Sequence, residues 1–357
     1  MLALALGIDL VLGEPPNAWH PVARIGAVVQ WLEGRTGIRQ RAVNGAPPRP
    51  LGELAAGVGV LAATEVASVV PYLLIDRLAG RLPLVLRIVV QAACLKPLFA
   101  VRALFDAVQA VEQPLLAEDL LTARKQLGEI VSRPTGELDA ALVAAAAIES
   151  LTENLSDSAV APMVAYLAGG LPGAAAYRAL NTLDAMLGYR DWREFLGKPA
   201  ARSDDLVNLA PSRLTAALLC VAAPDVGGTV RLALRATLRD HGATASPNAG
   251  WPMAAAAGAL GLRLEKAEHY VLHARARLPT AADVGRARRL AAGALVRGGI
   301  GLLALAAVQR RWQGFRRTCA LDGLLAPVRR GEEPSVMDDD VHWRRSRHVA
   351  CVAPGGV

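Results

Sequence analysis

Residues 148–162 read IESLTENLSDSAVAP, and four acidic or amide side chains here interrupt one of the most apolar regions of the 357-residue chain. At about 100° per residue, a helix would project Glu149, Glu153, Ser156 and Asp157 from one face and Leu151 and Leu155 from the other. One face can hold chemistry while the other packs. No charged residue occurs from Ser158 through Tyr177, so the acidic face borders a segment long enough to enter a bilayer. Ionisable groups in lipid are costly and are usually retained because they bind an ion, a substrate or each other. The competing reading, an N-cap and solvated loop at a membrane boundary, asks for no chemistry.

Composition supports the membrane setting. Hydrophobic residues make up 53% of the chain but aromatic residues only 4%, and the mean hydropathy is +0.31. The apolar mass is therefore Ala, Leu, Val and Gly, a mix suited to helices packed closely in lipid. The net charge of +7 is spread between apolar blocks without aromatic interleaving. That pattern argues against a nucleic-acid partner and is better explained by membrane orientation or an anionic substrate. Cys94, Cys220, Cys319 and Cys351 are isolated, which argues against a zinc site or a disulfide framework. The N-terminus has no basic n-region and does not read as a cleaved signal peptide.

Working outward, residues 7–22 read GIDLVLGEPPNAWHPV. Gly13, Pro15, Pro16 and Pro21 forbid a continuous helix, leaving a turn-rich loop that carries Asp9, Glu14, Asn17 and His20. Residues 32–50 read as a basic linker. Leu51–Ile75 suits a first membrane helix. Leu82–Phe105 is a weaker span because Arg87, Lys96 and Arg102 recur in it, and Asp106–Asp139 is polar, helical in period and expected outside the bilayer. Gly169, Gly170, Pro172 and Gly173 break the run after the acidic stretch, which predicts a discontinuous or re-entrant helix pair. Beyond it, Tyr177, Asn181, Asp184 and Gly188 recur at helical spacing as a second polar face, for which a solvated amphipathic helix is the alternative.

Residues 190–213 read as a charged loop in which Asp204, Asp205 and Asn208 lie close together. Hard oxygen ligands so placed can hold Mg²⁺ shared with a phosphate, although Asp-Asp is also common where a helix starts. Leu214–Val230 is a further span candidate, and Arg231–His241 is basic. A turn at Ser246–Pro252 then opens an Ala/Gly helix whose free N–H groups could bind an anion or simply begin a helix. Leu290–Val308 is the last span candidate. Residues 311–357 form a charged tail, to which no chemistry is assigned. The fold class expected is an all-α, multi-pass membrane bundle, with residues 1–310 as one catalytic domain.

Five stretches in this order, GIDLVLGEPPNAWHPV, IESLTENLSDSAVAP, ALNTLDAMLGY, ARSDDLVNLAPSRLTA and SPNAGWPMAAAAGAL, resemble the CobD/CbiB family of membrane-associated adenosylcobinamide-phosphate synthases. Two departures stand out: Ser158 where the family usually has Gly, and Pro134 where Arg-Asp-Thr is common, which bears on Arg133 and Thr135. The resemblance implies a place in cobalamin biosynthesis at the cell membrane, with the active site facing the cytoplasm. Aminopropanol, free or as its phosphate, would be joined through an amide bond to the free carboxylate of a corrinoid, adenosylcobyric acid. ATP would be co-substrate and Mg²⁺ the cofactor. Neither GxxxxGK[ST] nor GxGxxG occurs, so carboxylate-held Mg²⁺ would have to bridge the nucleotide. On this reading Glu153 is the base, with Asn154, Asp157, Asn181 and Asp184 also catalytic. Asp157, Asp204, Asp205 and Asn208 are the metal ligands, and Arg202, Arg213, His20, Asn248 and Trp251 bind substrate or phosphate. Homo-oligomers, or association with other membrane enzymes of the same pathway, would be compatible partners. Broken helices with buried carboxylates would also suit a transporter, and Asp-rich helices with Mg²⁺ would suit a prenyltransferase-like membrane enzyme.

Overall fold

In the computed structural model the described residues are 1–301, apart from Asn17 and Trp19. Asn17, part of the Leu290–Val308 span and the 311–357 tail therefore lie outside the described residues. Thirteen α-helices are followed by a short hairpin, and residues 281–301 are again helical. The helices are α1 (Leu2–Leu12), α2 (Pro21–Thr36), α3 (Ile38–Val43), α4 (Pro50–Ala79), α5 (Leu84–Leu95), α6 (Val101–Leu116) and α7 (Leu120–Gly128). They continue as α8 (Ala140–Leu155), α9 (Ala161–Leu187), α10 (Glu194–Val207), α11 (Leu209–Ala222), α12 (Val230–Asp240) and α13 (Gly250–Leu260). Strands β1 (Leu264–Lys266) and β2 (Tyr270–Leu272) pair antiparallel, a small addition to the expected all-α fold.

Among the described residues four helical stretches are long and apolar enough to cross a membrane: Pro50–Ala79, Leu84–Leu116, Ala140–Leu187 and Leu209–Val226. In α4 the buried positions Glu53, Gly57, Val60, Thr64 and Ser68 recur at helical spacing and face the bundle. Val58, Val66, Val70 and Leu74 are exposed on the rest of its surface, the side that lipid would cover. A Cβ at Gly57 would collide with the Leu196 carbonyl, so glycine lets α10 cross α4 at backbone contact.

The acidic stretch sits in the middle of the fold. Asp139 caps α8 by accepting a hydrogen bond from the Leu142 N–H at 2.8 Å. Alanines 144–147 of α8 and the alanines of α13 are buried, and these two helices pack together. Between α8 and α9, residues Ser156–Val160 form a π-helical turn, a local widening that is frequent at functional sites. The expected break follows: Gly169 and Gly170 leave helical geometry, and Gly170 takes φ 64°, which only glycine adopts without strain.

Several expectations need correction. Asp9 lies on α1, not in the loop, and is fully buried. Its carboxylate accepts hydrogen bonds from the Val101 and Arg102 N–H groups at 3.1 and 2.9 Å and thus caps α6 from a distance. The supposed linker at 32–50 is largely helical, because α2 runs to Thr36 and α3 follows. The Leu82–Phe105 span is interrupted at Lys96–Ala100, and residues 106–116, expected outside the bilayer, complete the second apolar stretch. The supposed loop at 190–213 is α10 and the start of α11. Pro199 is tolerated inside α10.

Candidate active site

The second polar face and the Asp-Asp pair meet the acidic stretch. Asp157 on the π turn lies within Coulombic reach of Glu153, Asp204, Asp184 and Arg178. Asp184 is in turn near Asp204 and Asp205. The Asn208 amide donates to the Asp204 carboxylate at 2.9 Å, and the Asn181 amide lies beside the same carboxylate. The Tyr177 hydroxyl donates to Asn208 Oδ1 at 3.0 Å. Asn208, expected as a metal ligand, therefore braces Asp204 from below. Burial raises the Asp204 carboxyl above the usual carboxylate range despite the two amides, and burial likewise raises Asp205 against the pull of Arg202.

Arg178 is the buried cation of this cluster, and sequence reading missed it. Its Nε donates to the Leu98 carbonyl at 2.9 Å, and it is near both Asp157 and Glu14. Glu14 leads to a second charged knot. Lys96 Nζ stands 3.2 Å from Asp9 Oδ1 and 2.9 Å from Glu14 Oε2, and His20 Nε2 lies 2.8 Å from the same Glu14 oxygen. His20 is also the cap of α2, accepting from the Val22 N–H through Nδ1. It is held by Glu14 and placed at the edge of the cluster, not against Asp157.

Three of the expected substrate-binding residues do meet. Arg213 Nη1 donates to Asn248 Oδ1 at 2.6 Å, and its guanidinium lies 4.7 Å from the Trp251 ring centre. His241 stacks on Trp251 at 4.0 Å. Asn248 Nδ2 donates to the Asp205 carbonyl at 2.8 Å, so this platform is tied directly to the Asp-Asp pair. Arg202 is largely solvent-exposed and reaches only Asp205, at 3.8 Å.

Glu149 and Glu153 differ in their surroundings. Arg133 donates to Glu149 at 3.1 Å, and Tyr270 from β2 approaches the same carboxylate. Arg133 thus has a partner despite the Pro134 departure. Burial and the two nearby carboxylates push the Tyr270 phenol well above its ordinary range. Glu153 has Lys266 of β1 as its positive neighbour, and no described side chain or N–H donates a close hydrogen bond to it. Neither Lys266 nor Tyr270 carried any local signal; both arrive because the hairpin folds over α8. Asn154 is the expected catalytic residue that the structure does not bring in. Its amide donates to the Ser150 carbonyl at 2.9 Å, and it lines a separate cavity of about 480 Å³ with Ser132, Ser150 and Ser158, because one residue along a helix turns the side chain by about 100°.

Among the described residues no three His, Cys, Asp or Glu side chains stand close enough to form a protein-only cation site. Asp157, Asp204 and Asp205 are thus not a preformed cage. Asp204 Oδ1 is nevertheless buried without a hydrogen-bond partner. That free oxygen, with the nearby Asp157 and Asp205 carboxylates, fits Mg²⁺ held by one or two carboxylates and completed by a ligand's phosphate.

A multi-pass helical bundle with carboxylates and one buried arginine converging between broken helices defines a membrane protein with an ionisable interior site. The family described as CobD/Cbib protein matches residues 2–294, and this chain belongs to it. A cobalamin biosynthesis protein CobD of Dehalococcoides mccartyi is 42% identical over 270 residues, covering 75% of this chain and 84% of that protein. One from Rhodobacter capsulatus is 42% identical over 269 residues, covering 74% and 81%. Another from Brucella suis is 39% identical over 280 residues, covering 76% and 82%. No solved structure matches.

Proposed function

We propose that this protein acts in cobalamin biosynthesis at the cell membrane, joining aminopropanol or its O-phosphate to the free carboxylate of adenosylcobyric acid in an ATP-dependent step. The family and the names of its relatives support the pathway. The observation that carries the chemistry is the gathering of Asp157, Asp184, Asp204 and Arg178 in one interior site. A carboxylate becomes acylating only when one oxygen is made a leaving group. In the proposed step the corrinoid carboxylate oxygen attacks the γ-phosphorus of ATP, releasing ADP and leaving an acyl phosphate. The amine nitrogen then attacks the carbonyl carbon, the C–O bond to phosphate breaks, and the nitrogen loses its proton.

Each residue has a part in this reading. Glu153 takes the amine proton, since Glu149 is already engaged by Arg133 and Tyr270. Arg178 faces the negative charge that develops on the transferring phosphoryl group. Asp157, Asp204 and Asp205 would hold Mg²⁺, which would neutralise phosphate charge when bound. Asn181, Asn208 and Tyr177 orient Asp204. The Arg213, Asn248 and Trp251 platform binds a phosphate or the corrinoid rim, with the site open to the cytoplasm where both substrates occur. An isotope experiment tests the route: adenosylcobyric acid labelled with ¹⁸O in its free carboxylate should pass one label to the released inorganic phosphate. Amide product with unlabelled phosphate would contradict the acyl phosphate.

A further inference from the structure

Helix α12, VRLALRATLRD, carries two unlike stripes on its outer surface. It packs inward through Ala233, Ala236 and Thr237, and Gly258 of α13 lets the two backbones touch, since a Cβ there would lie 2.9 Å from the Ala233 Cα. Val230, Leu234 and Leu238 recur every four residues and are 41%, 47% and 59% exposed. Arg231, Arg235 and Arg239 recur at the same spacing one residue later, which sets them about 100° further round the helix. Arg239 is paired with Asp240 at 2.7 Å. Among the described residues Arg231 and Arg235 have no carboxylate at ion-pair distance. The helix begins only a few residues after the apolar stretch Leu209–Val226 ends, at the level where a membrane-crossing segment leaves the hydrocarbon.

We propose that α12 is an interfacial helix that docks on anionic phospholipid. Its leucine stripe lies at the acyl boundary, and Arg231 and Arg235 pair with lipid phosphates. An exposed apolar stripe beside an arginine stripe is the pattern of helices that lie in the headgroup plane, where aliphatic arms lie along the apolar boundary and guanidiniums reach phosphate. Each arginine near an anionic surface adds attraction, and the two unpaired ones supply the charge complementarity that selects acidic lipid over a zwitterionic surface. Leu232 is also exposed, at 54%, but it projects from the far flank of the arginine stripe, away from Val230, Leu234 and Leu238, and serves as an exposed control position. The proposal does not depend on the amide chemistry above.

The test uses the full chain in nanodiscs of phosphatidylcholine with 30% phosphatidylglycerol. Benzoylphenylalanine replaces Leu234, Leu238 or, as control, Leu232, and photo-adducts are read by mass spectrometry. Lipid adducts are expected at positions 234 and 238 at several times the level at 232. In wild type, phosphatidylglycerol should be enriched several-fold among retained lipids over its bulk share. Enrichment should fall toward the bulk ratio in R231Q/R235Q and be kept in R231K/R235K. Equal adducts at all three positions, crosslinks to a second copy of the chain, or unchanged enrichment in R231Q/R235Q would each overturn the proposal.

Discussion

Replacing Lys96 with Met should be among the most damaging single changes in the protein. Lys96 is 5% exposed and stands 3.2 Å from the fully buried Asp9 and 2.9 Å from Glu14. At an effective dielectric of about 20, unit charges 3.2 Å apart attract by roughly 5 kcal/mol. Much of that attraction offsets desolvation in the intact pair, but removing one partner leaves the other charge buried and uncompensated, at a cost of about 3–5 kcal/mol. Asp9 also caps α6, so its displacement would loosen that helix start. The detergent-solubilised K96M protein should therefore lose on the order of 10 °C in its thermal midpoint, followed by fluorescence-detected gel filtration. K96M/D9N should be more stable than K96M, because the uncompensated carboxylate is gone while an amide oxygen can still accept from Val101 or Arg102. A K96M midpoint within a degree or two of wild type, or a double variant worse than the single, would refute the reasoning.

Further outcomes follow from other parts of the molecule. The protein should sediment with membranes and stay there in high salt, because α4 exposes valines and leucines along its length; release without detergent would contradict the spanning helices. Gly57→Leu should destabilise by at least 1–3 kcal/mol through overpacking against the Leu196 carbonyl, whereas Gly59→Leu should be near neutral, since nothing lies within 4 Å of a Cβ there; equal midpoints would deny the α4–α10 crossing. In a Mg²⁺ titration of ADP release, raised Mg²⁺ should partly restore D204N and D205N but not E153Q. Identical rescue of all three would remove the distinction between ligand and base.

The acidic stretch was readable because helical period alone separates Glu149, Glu153 and Asp157 from Leu151 and Leu155, and the structure keeps that division. The break at Gly169 and Gly170 was readable because glycine admits backbone angles that other residues avoid and the nearby Pro172 lacks an N–H for the helix. The π turn was not, since it changes hydrogen-bond register without changing composition. Residues 190–213 looked like a loop because charges and Pro199 masked the helical period; only packing against α4, set by Gly57, shows why the helix persists. Arg178, and the role of Lys96 as a partner of Asp9 and Glu14, were hidden for one physical reason. A single charge in an apolar run has no pattern of its own, and its meaning comes from Asp9, Glu14 and Asp157, which are distant in the chain. Lys266 and Tyr270 were hidden the same way, reaching the site only through a hairpin laid over α8.

The most direct test is product formation by the purified protein reconstituted in lipid, supplied with adenosylcobyric acid, aminopropanol phosphate, ATP and Mg²⁺, in wild type and in Asp157→Asn. Asparagine keeps the shape of Asp157 but removes its charge from the Asp184, Asp204 and Arg178 cluster. Wild type should release ADP and adenosylcobinamide phosphate in equal amounts, and D157N should lose at least 100-fold in rate, about 2.7 kcal/mol, with its thermal midpoint little changed. No amide product from wild type, or near-normal turnover by D157N, would contradict the account.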